Sequence, residues 1–140
     1  MTEKIDIVKS WIEKDDHDLG TAQVTFLHIP RYRDTIAFHC QQAVEKYLKG
    51  YLFLNNTDFK RTHNLNYLLS LVSQFDSVNN DLYDKVAELE DFSVEIRYPD
   101  TSIDLSDEDI HQALSIAHEF RNYVLKKMGL SISYEDIIKE

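Results

Sequence analysis

The scarcity of chain-breaking residues is the feature that most constrains this fold. The 140 residues include only three glycines and two prolines. Turns depend heavily on these two residue types, so we expect few turns and long uninterrupted elements. Apolar residues recur every three or four positions along most of the chain, which is the pattern of an α-helix with one buried face. We therefore predict an all-α protein, an up-and-down bundle of about five helices.

The ends of the predicted helices follow from local signals. Ile29-Pro30 ends the first helix and Tyr98-Pro99 ends the fourth, because the residue before a proline is disfavoured in the α conformation. Ser106 is a predicted N-cap of the last helix, and Gly129 is a predicted stop after it. The predicted helices span approximately Thr2 to Leu27, Arg33 to Asn55, Asn64 to Phe75, Asp81 to Ile96 and Asp107 to Met128.

The domain organisation predicted from this pattern is simple. Residues 1–129 are expected to form a single helical domain, and residues 130–140 a C-terminal tail that is loosely attached or docks on a partner. Trp11 and Phe75 are expected on buried helix faces. Cys40, the only cysteine, is expected to be a small buried apolar group rather than a reactive thiol.

Charge and composition limit the possible functions. The net charge of −10 disfavours general binding of nucleic acid. Residues 28–66 nevertheless contain six basic and three acidic residues, so a local positive site on an acidic body is one interpretation; ordinary solvated helix faces are the other. The charged N-terminus and the lack of a long apolar run predict a soluble, cytoplasmic protein.

A polar stripe marks the second predicted helix. His39, Gln42, Lys46 and Lys49 follow one another at intervals of three and four residues, so they lie near one line along the helix. Such a stripe either faces water or lines a groove that binds a ligand. Glu45 could pair with Lys49 one turn later.

Two further polar motifs lie at helix ends. His63, in Arg61-Thr62-His63-Asn64-Leu65, either contacts a ligand or has a structural role, in which it caps the third helix or approaches the loop backbone. Arg97, in Glu95-Ile96-Arg97-Tyr98-Pro99-Asp100, either binds a phosphate bidentately or neutralises the dipole of its own helix and pairs with a nearby acid. The histidines have no tight ligand spacing, so we expect neither a metal site nor a cofactor.

These motifs together resemble the HEPN (higher eukaryotes and prokaryotes nucleotide-binding) family. The resemblance rests on Asp18-Leu19, the segment from Phe38 to Lys49, Thr62-His63-Asn64-Leu65 and the segment from Glu95 to Asp100. It implies an all-α bundle, often a homodimer. Members resemble either nucleotide-binding partners of small nucleotidyltransferases, commonly in toxin–antitoxin pairs, or metal-independent ribonucleases.

The ribonuclease pattern implied by the family is incomplete in this chain. It consists of an arginine late in the bundle and a histidine four to six residues after it, but no histidine follows Arg97 at that spacing. Arg33 and His39 have a similar spacing in a different helix. A ribonuclease would therefore use Arg97, His39 or Arg33, where arginine stabilises phosphate charge and histidine transfers protons.

Three hypotheses about function remain. The leading one is a nucleotide- or phosphate-binding interaction module, without catalysis, that works beside a nucleotidyltransferase-like partner. The second is the metal-independent ribonuclease, and the third is a structural adaptor that binds no ligand. The ligand-binding residues predicted for the first are His39, Gln42, Lys46, Lys49, His63, Arg97 and Asp100.

Overall fold

Helices account for all the regular structure that is described. The computed structural model of the chain describes residues 2–97 and 105–134, with side chains from 3 to 92 and from 105 to 134. The prediction of an all-α bundle is confirmed, and no strand occurs within these ranges. The five helices are α1 (Thr2–His28), α2 (Arg33–Leu54), α3 (Leu65–Val72), α4 (Asn80–Arg97) and α5 (Asp107–Met128).

Helix α2 is the centre of the bundle. It contacts each of the four other helices, so most of its circumference is buried and only a narrow strip meets solvent. Cys40 of this helix is fully buried, as predicted, and burial raises the pKa of its thiol, which keeps it protonated and unreactive. None of the helices, over the residues described, has both the length and the apolar character needed to cross a bilayer.

Local side-chain and backbone bonds define the helix ends. Ser106 begins α5 as predicted: its Oγ accepts from the Asp109 amide at 3.0 Å, and the Asp109 carboxylate accepts from the Ser106 amide at 3.0 Å. Gly129 ends α5 with φ of 69°, a left-handed conformation that glycine adopts without strain. Asn56 has a similar φ of 56° after α2.

Two predicted core residues are instead exposed. Trp11 is 41% exposed, because α1 packs only on α2 and α5 and its apolar face is wider than these neighbours cover. The Trp11 ring lies at the edge of that contact, with its centroid 4.7 Å from the centroid of Phe53. Phe75 is 37% exposed, because α3 ends at Val72 and Phe75 leaves the helical register. The predictions of burial for Trp11 and Phe75 are therefore wrong.

A buried ion pair joins three helices. Arg121 of α5 is 6% exposed and donates from Nε and Nη2 to the two carboxylate oxygens of Asp16 in α1, at 2.8 and 3.0 Å. The hydroxyl of Tyr47 in α2 donates to the same carboxylate at 2.5 Å. Arg121 also donates to the carbonyl of Ile132 at 3.0 Å, so residues 130–134 of the segment predicted as a tail pack on their own bundle.

Loss of this arginine is expected to destabilise the fold strongly. Arg121→Met leaves the buried Asp16 carboxylate without its positive partner, so the free energy of unfolding should fall by about 3–5 kcal/mol. The control is Arg33→Met, which removes a pair with Asp107 whose side chains are 38% and 61% exposed. That change should cost less than about 1 kcal/mol. Equal losses in chemical denaturation would contradict this account.

Candidate functional site

Asp18 of α1 holds two members of the polar stripe on α2. Its Oδ1 lies 3.1 Å from Nδ1 of His39, and its Oδ2 accepts from Nζ of Lys46 at 2.8 Å. The hydrogen bond to Asp18 raises the pKa of Lys46, which therefore stays an ammonium. Because the Lys46 side chain is still 45% exposed, its charge is fixed in position and open to solvent.

Glu45 holds a second group on the other flank of α2. Its side chain is only 6% exposed, and its Oε2 accepts from Nζ of Lys49 at 2.8 Å, as the spacing predicted. Its Oε1 lies 3.0 Å from Nδ1 of His63, which is itself 71% exposed. The third helix is capped by Asn64, whose Oδ1 accepts from the Tyr67 amide at 2.9 Å, so the interpretation of His63 as a cap is wrong.

The exposed strip of α2 runs between these two groups. Gln42 lies on the strip and is partly exposed. In both histidines the contact to a carboxylate uses Nδ1, so Nε2 is the nitrogen that can meet a ligand. Asp18 thus brings His39 and Lys46 together, and Glu45 brings Lys49 and His63 together. We call these four side chains and Gln42 the α2 strip.

A third carboxylate, Asp15, lies near Lys46 and is not among the residues predicted from the sequence. Asp15 is 6% exposed, and its Oδ2 is buried without a hydrogen-bond partner. Burial raises its pKa to about 7, against the opposing effect of Lys46, and the neighbouring Asp16 and Asp18 raise it further. A signal was present, because Asp15 interrupts a line of apolar residues at helical spacing between Ile12 and Leu19.

The remaining predicted residues do not join this surface within the described structure. Arg33 donates to Asp107 at 2.7 Å, whereas His39 contacts Asp18, so the two engage different carboxylates on different helices. Arg97 ends α4, but its side chain and all of Asp100 lie outside the described residues. No group of histidine, cysteine and acidic residues in the described part of the chain could hold a metal ion.

Comparison with known protein families identifies the family of this chain. Residues 8–128 match the model of the HEPN domain. The chain belongs to the HEPN family. This match spans most of the chain and confirms the resemblance drawn from the four motifs. No protein of curated function matches the sequence.

Two solved structures share the HEPN fold of this chain. The crystal structure of ST0689, an archaeal HEPN homologue, is 23% identical and superposes with a TM-score of 0.68. The crystal structure of TT1696 from Thermus thermophilus is 24% identical, with a TM-score of 0.74. Each similarity covers 86% of this chain and 97% of the other chain. At this identity the comparison establishes the fold alone.

Asp15 is expected to make the HEPN domain less stable as pH rises. Its folded-state pKa of about 7 exceeds the ordinary value of 3.8, so the folded protein binds this proton more tightly than the unfolded chain does. The resulting contribution is present below pH 4 and is lost between pH 4 and 7, by up to about 4 kcal/mol. Asp15→Asn should remove this loss.

Urea denaturation from pH 4 to 8 measures this effect. The stability of Asp15→Asn relative to the wild type should grow across that window and level off above about pH 7. Asp6→Asn, a change of an exposed aspartate on the same helix, should show no such trend. A difference between Asp15→Asn and the wild type that does not vary with pH would contradict the assignment.

Proposed function

We propose that this HEPN domain is a binding and interaction module that recognises a nucleotide or another phosphate-bearing ligand. Lys46 and Lys49 contact the phosphate, His39 and His63 flank it, and Gln42 orients the ligand. The observation that carries the proposal is the α2 strip, where two lysines and two histidines lie on one surface and are fixed by carboxylates.

Fixed cations favour binding for a physical reason. A free lysine loses side-chain entropy when it closes on an anion, whereas Lys46 and Lys49 are already held by Asp18 and Glu45. The same carboxylates limit the positive charge of the strip, which suits a small anion better than a long one. The net charge of −10 likewise opposes long polyanions such as RNA.

The ionisation of Asp15 changes the anion affinity of this site. Below pH 7 the buried carboxyl is mostly neutral, so it adds no negative charge beside Lys46. Above pH 7 it ionises, and its negative charge weakens the attraction between the Lys46 ammonium and an anionic ligand. Anion affinity is therefore expected to fall as pH rises through about 7.

Arg97 and Asp100 remain predicted ligand contacts in this proposal. For the ribonuclease alternative, the described contacts supply no favourable observation, because Arg33 and His39 do not engage the same group. The adaptor alternative differs from the proposal in one measurable respect, which is the absence of any ligand.

Titration calorimetry with AMP, ADP, ATP and inorganic pyrophosphate tests the proposal. Lys46→Ala should weaken binding by roughly 10-fold to 100-fold, the usual cost of losing a hydrogen bond to a charged group. Lys126→Ala, a change of an exposed lysine on α5, should bind like the wild type. Absence of heat with every ligand would refute the proposal and favour the adaptor.

The proposal also includes a protein partner. We propose a homodimer that pairs with a small nucleotidyltransferase, in the manner of a toxin–antitoxin pair. Light scattering should then give a mass of about 33 kDa, twice the 16.5 kDa of the chain. A nucleotidyltransferase encoded beside it should co-purify with it. A mass of one chain at micromolar concentration, with no co-purification, would contradict this part.

A further inference from the structure

The α2 strip leads into a cavity at the C-terminal end of the helix. The cavity has a volume of about 370 Å³ and is lined by Lys4, Phe53, Asn56, Thr57, Asp58 and Phe59. Phe53 lies one helical turn beyond Lys49, so the cavity begins where the lysines of the strip end. It is about 30 Å along α2 from Arg33, at the opposite end of the helix. We call it the terminal pocket.

Aromatic rings form the apolar side of the terminal pocket. Phe53 and Phe59 are only half-buried, and the ring of Trp11 packs against Phe53 outside the pocket. Two ammonium groups lie over these rings: Lys49 is 5.8 Å from the centroid of Phe59, and Lys4 is 4.7 Å from that of Phe53. Half-exposed aromatic rings beside cations are the elements that stack on a nucleobase and bind its phosphates.

Polar side chains of the turn that follows α2 form the other side of the terminal pocket. The Thr57 amide donates to the Leu52 carbonyl at 3.0 Å, and the Asn56 amide donates to the Phe53 carbonyl at 3.1 Å. These two bonds and the left-handed Asn56 form a Schellman motif that ends α2. The turn holds the side chains of Asn56, Thr57 and Asp58 at the pocket, where they can hydrogen-bond the edge of a base.

We propose that the terminal pocket binds the base of the nucleotide whose phosphates contact Lys49 and Lys46, an inference that rests on the proposed function. Along the helix axis, Phe53 is about 6 Å from Lys49 and about 10 Å from Lys46, a span that suits a nucleoside diphosphate. The ammonium of Lys4, which donates to Asn56 and lies over the Phe53 ring, adds a further positive charge beside the pocket.

Asp58 gives the pocket a preference among bases. An ionised carboxylate only accepts hydrogen bonds, so it favours a base that presents an exocyclic amino group. Adenine and cytosine have an exocyclic amino group on the base-pairing edge, where uracil has a carbonyl oxygen instead. ADP should therefore bind more tightly than UDP, and Asp58→Asn should reduce the ratio of the two affinities.

Trp11 provides the measurement. It is the only tryptophan of the chain and its ring centroid lies 4.7 Å from that of Phe53, so ADP in the pocket should change its fluorescence. Phe59→Leu keeps an apolar side chain and removes the stacking face. This variant should weaken ADP binding about tenfold, while the pyrophosphate affinity measured by calorimetry falls much less, because pyrophosphate has no base to stack. Phe75→Leu, at an exposed phenylalanine outside the pocket, is the matched control.

The outcomes separate this inference from the proposed function. If Lys46→Ala weakens ADP binding but Phe59→Leu and Asp58→Asn bind ADP like the wild type, the pocket assignment is overturned and the proposed function stands. Equal losses of ADP and pyrophosphate affinity in Phe59→Leu would also overturn it. If neither ADP nor pyrophosphate binds the wild type, the proposed function fails, and this inference fails with it.

Discussion

The buried contact between Arg121 and Asp16 is the constraint on which the rest of the structure depends. Moving an ion out of water costs several kcal/mol, and this cost is recovered only when the opposite charge is held in good geometry. Because Arg121 belongs to α5, Asp16 to α1 and Tyr47 to α2, the contact fixes how these three helices pack. It thereby determines which side of α1 faces the polar strip of α2.

Acidic residues near Asp16 also contact the α2 strip. Asp18 lies on the same turn of α1 and reaches the strip, where it holds His39 and Lys46. Asp15 lies between the core and the strip, and its buried carboxyl changes charge near pH 7. One short acidic run thus supplies the structural ion pair, the contacts to the strip and a buried carboxyl.

The sequence predicted the helices well, because helical periodicity and caps are local properties. Ser106 and Gly129 were both located correctly, since each acts within one turn of its own helix. Trp11 was misplaced, because its exposure depends on how far the neighbouring helices extend over α1. The position of His63 before the third helix also suits a cap, but Asn64 has that role, and only the fold reveals the contact of His63 with Glu45.

The candidate site was only partly predictable from the sequence, because some of its contacts join segments that are distant in the chain. Spacing alone located the stripe from His39 to Lys49, because all its members belong to one helix. Asp18, which contacts His39 and Lys46, and His63, which contacts Glu45, come from elsewhere in the chain, and contacts between distant segments leave no periodic signal. The terminal pocket needed α1, the end of α2 and the following turn together, so it became visible only in the folded chain.

A two-dimensional ¹H–¹⁵N NMR titration with ADP tests the central claim most directly. The account predicts that backbone amide signals shift in two neighbouring places, along the lysines of the α2 strip and in the turn from Asn56 to Phe59. Signals at the start of α2, near Arg33, should stay in place. Shifts confined to the start of α2, or no shifts at saturating ADP, would contradict the account.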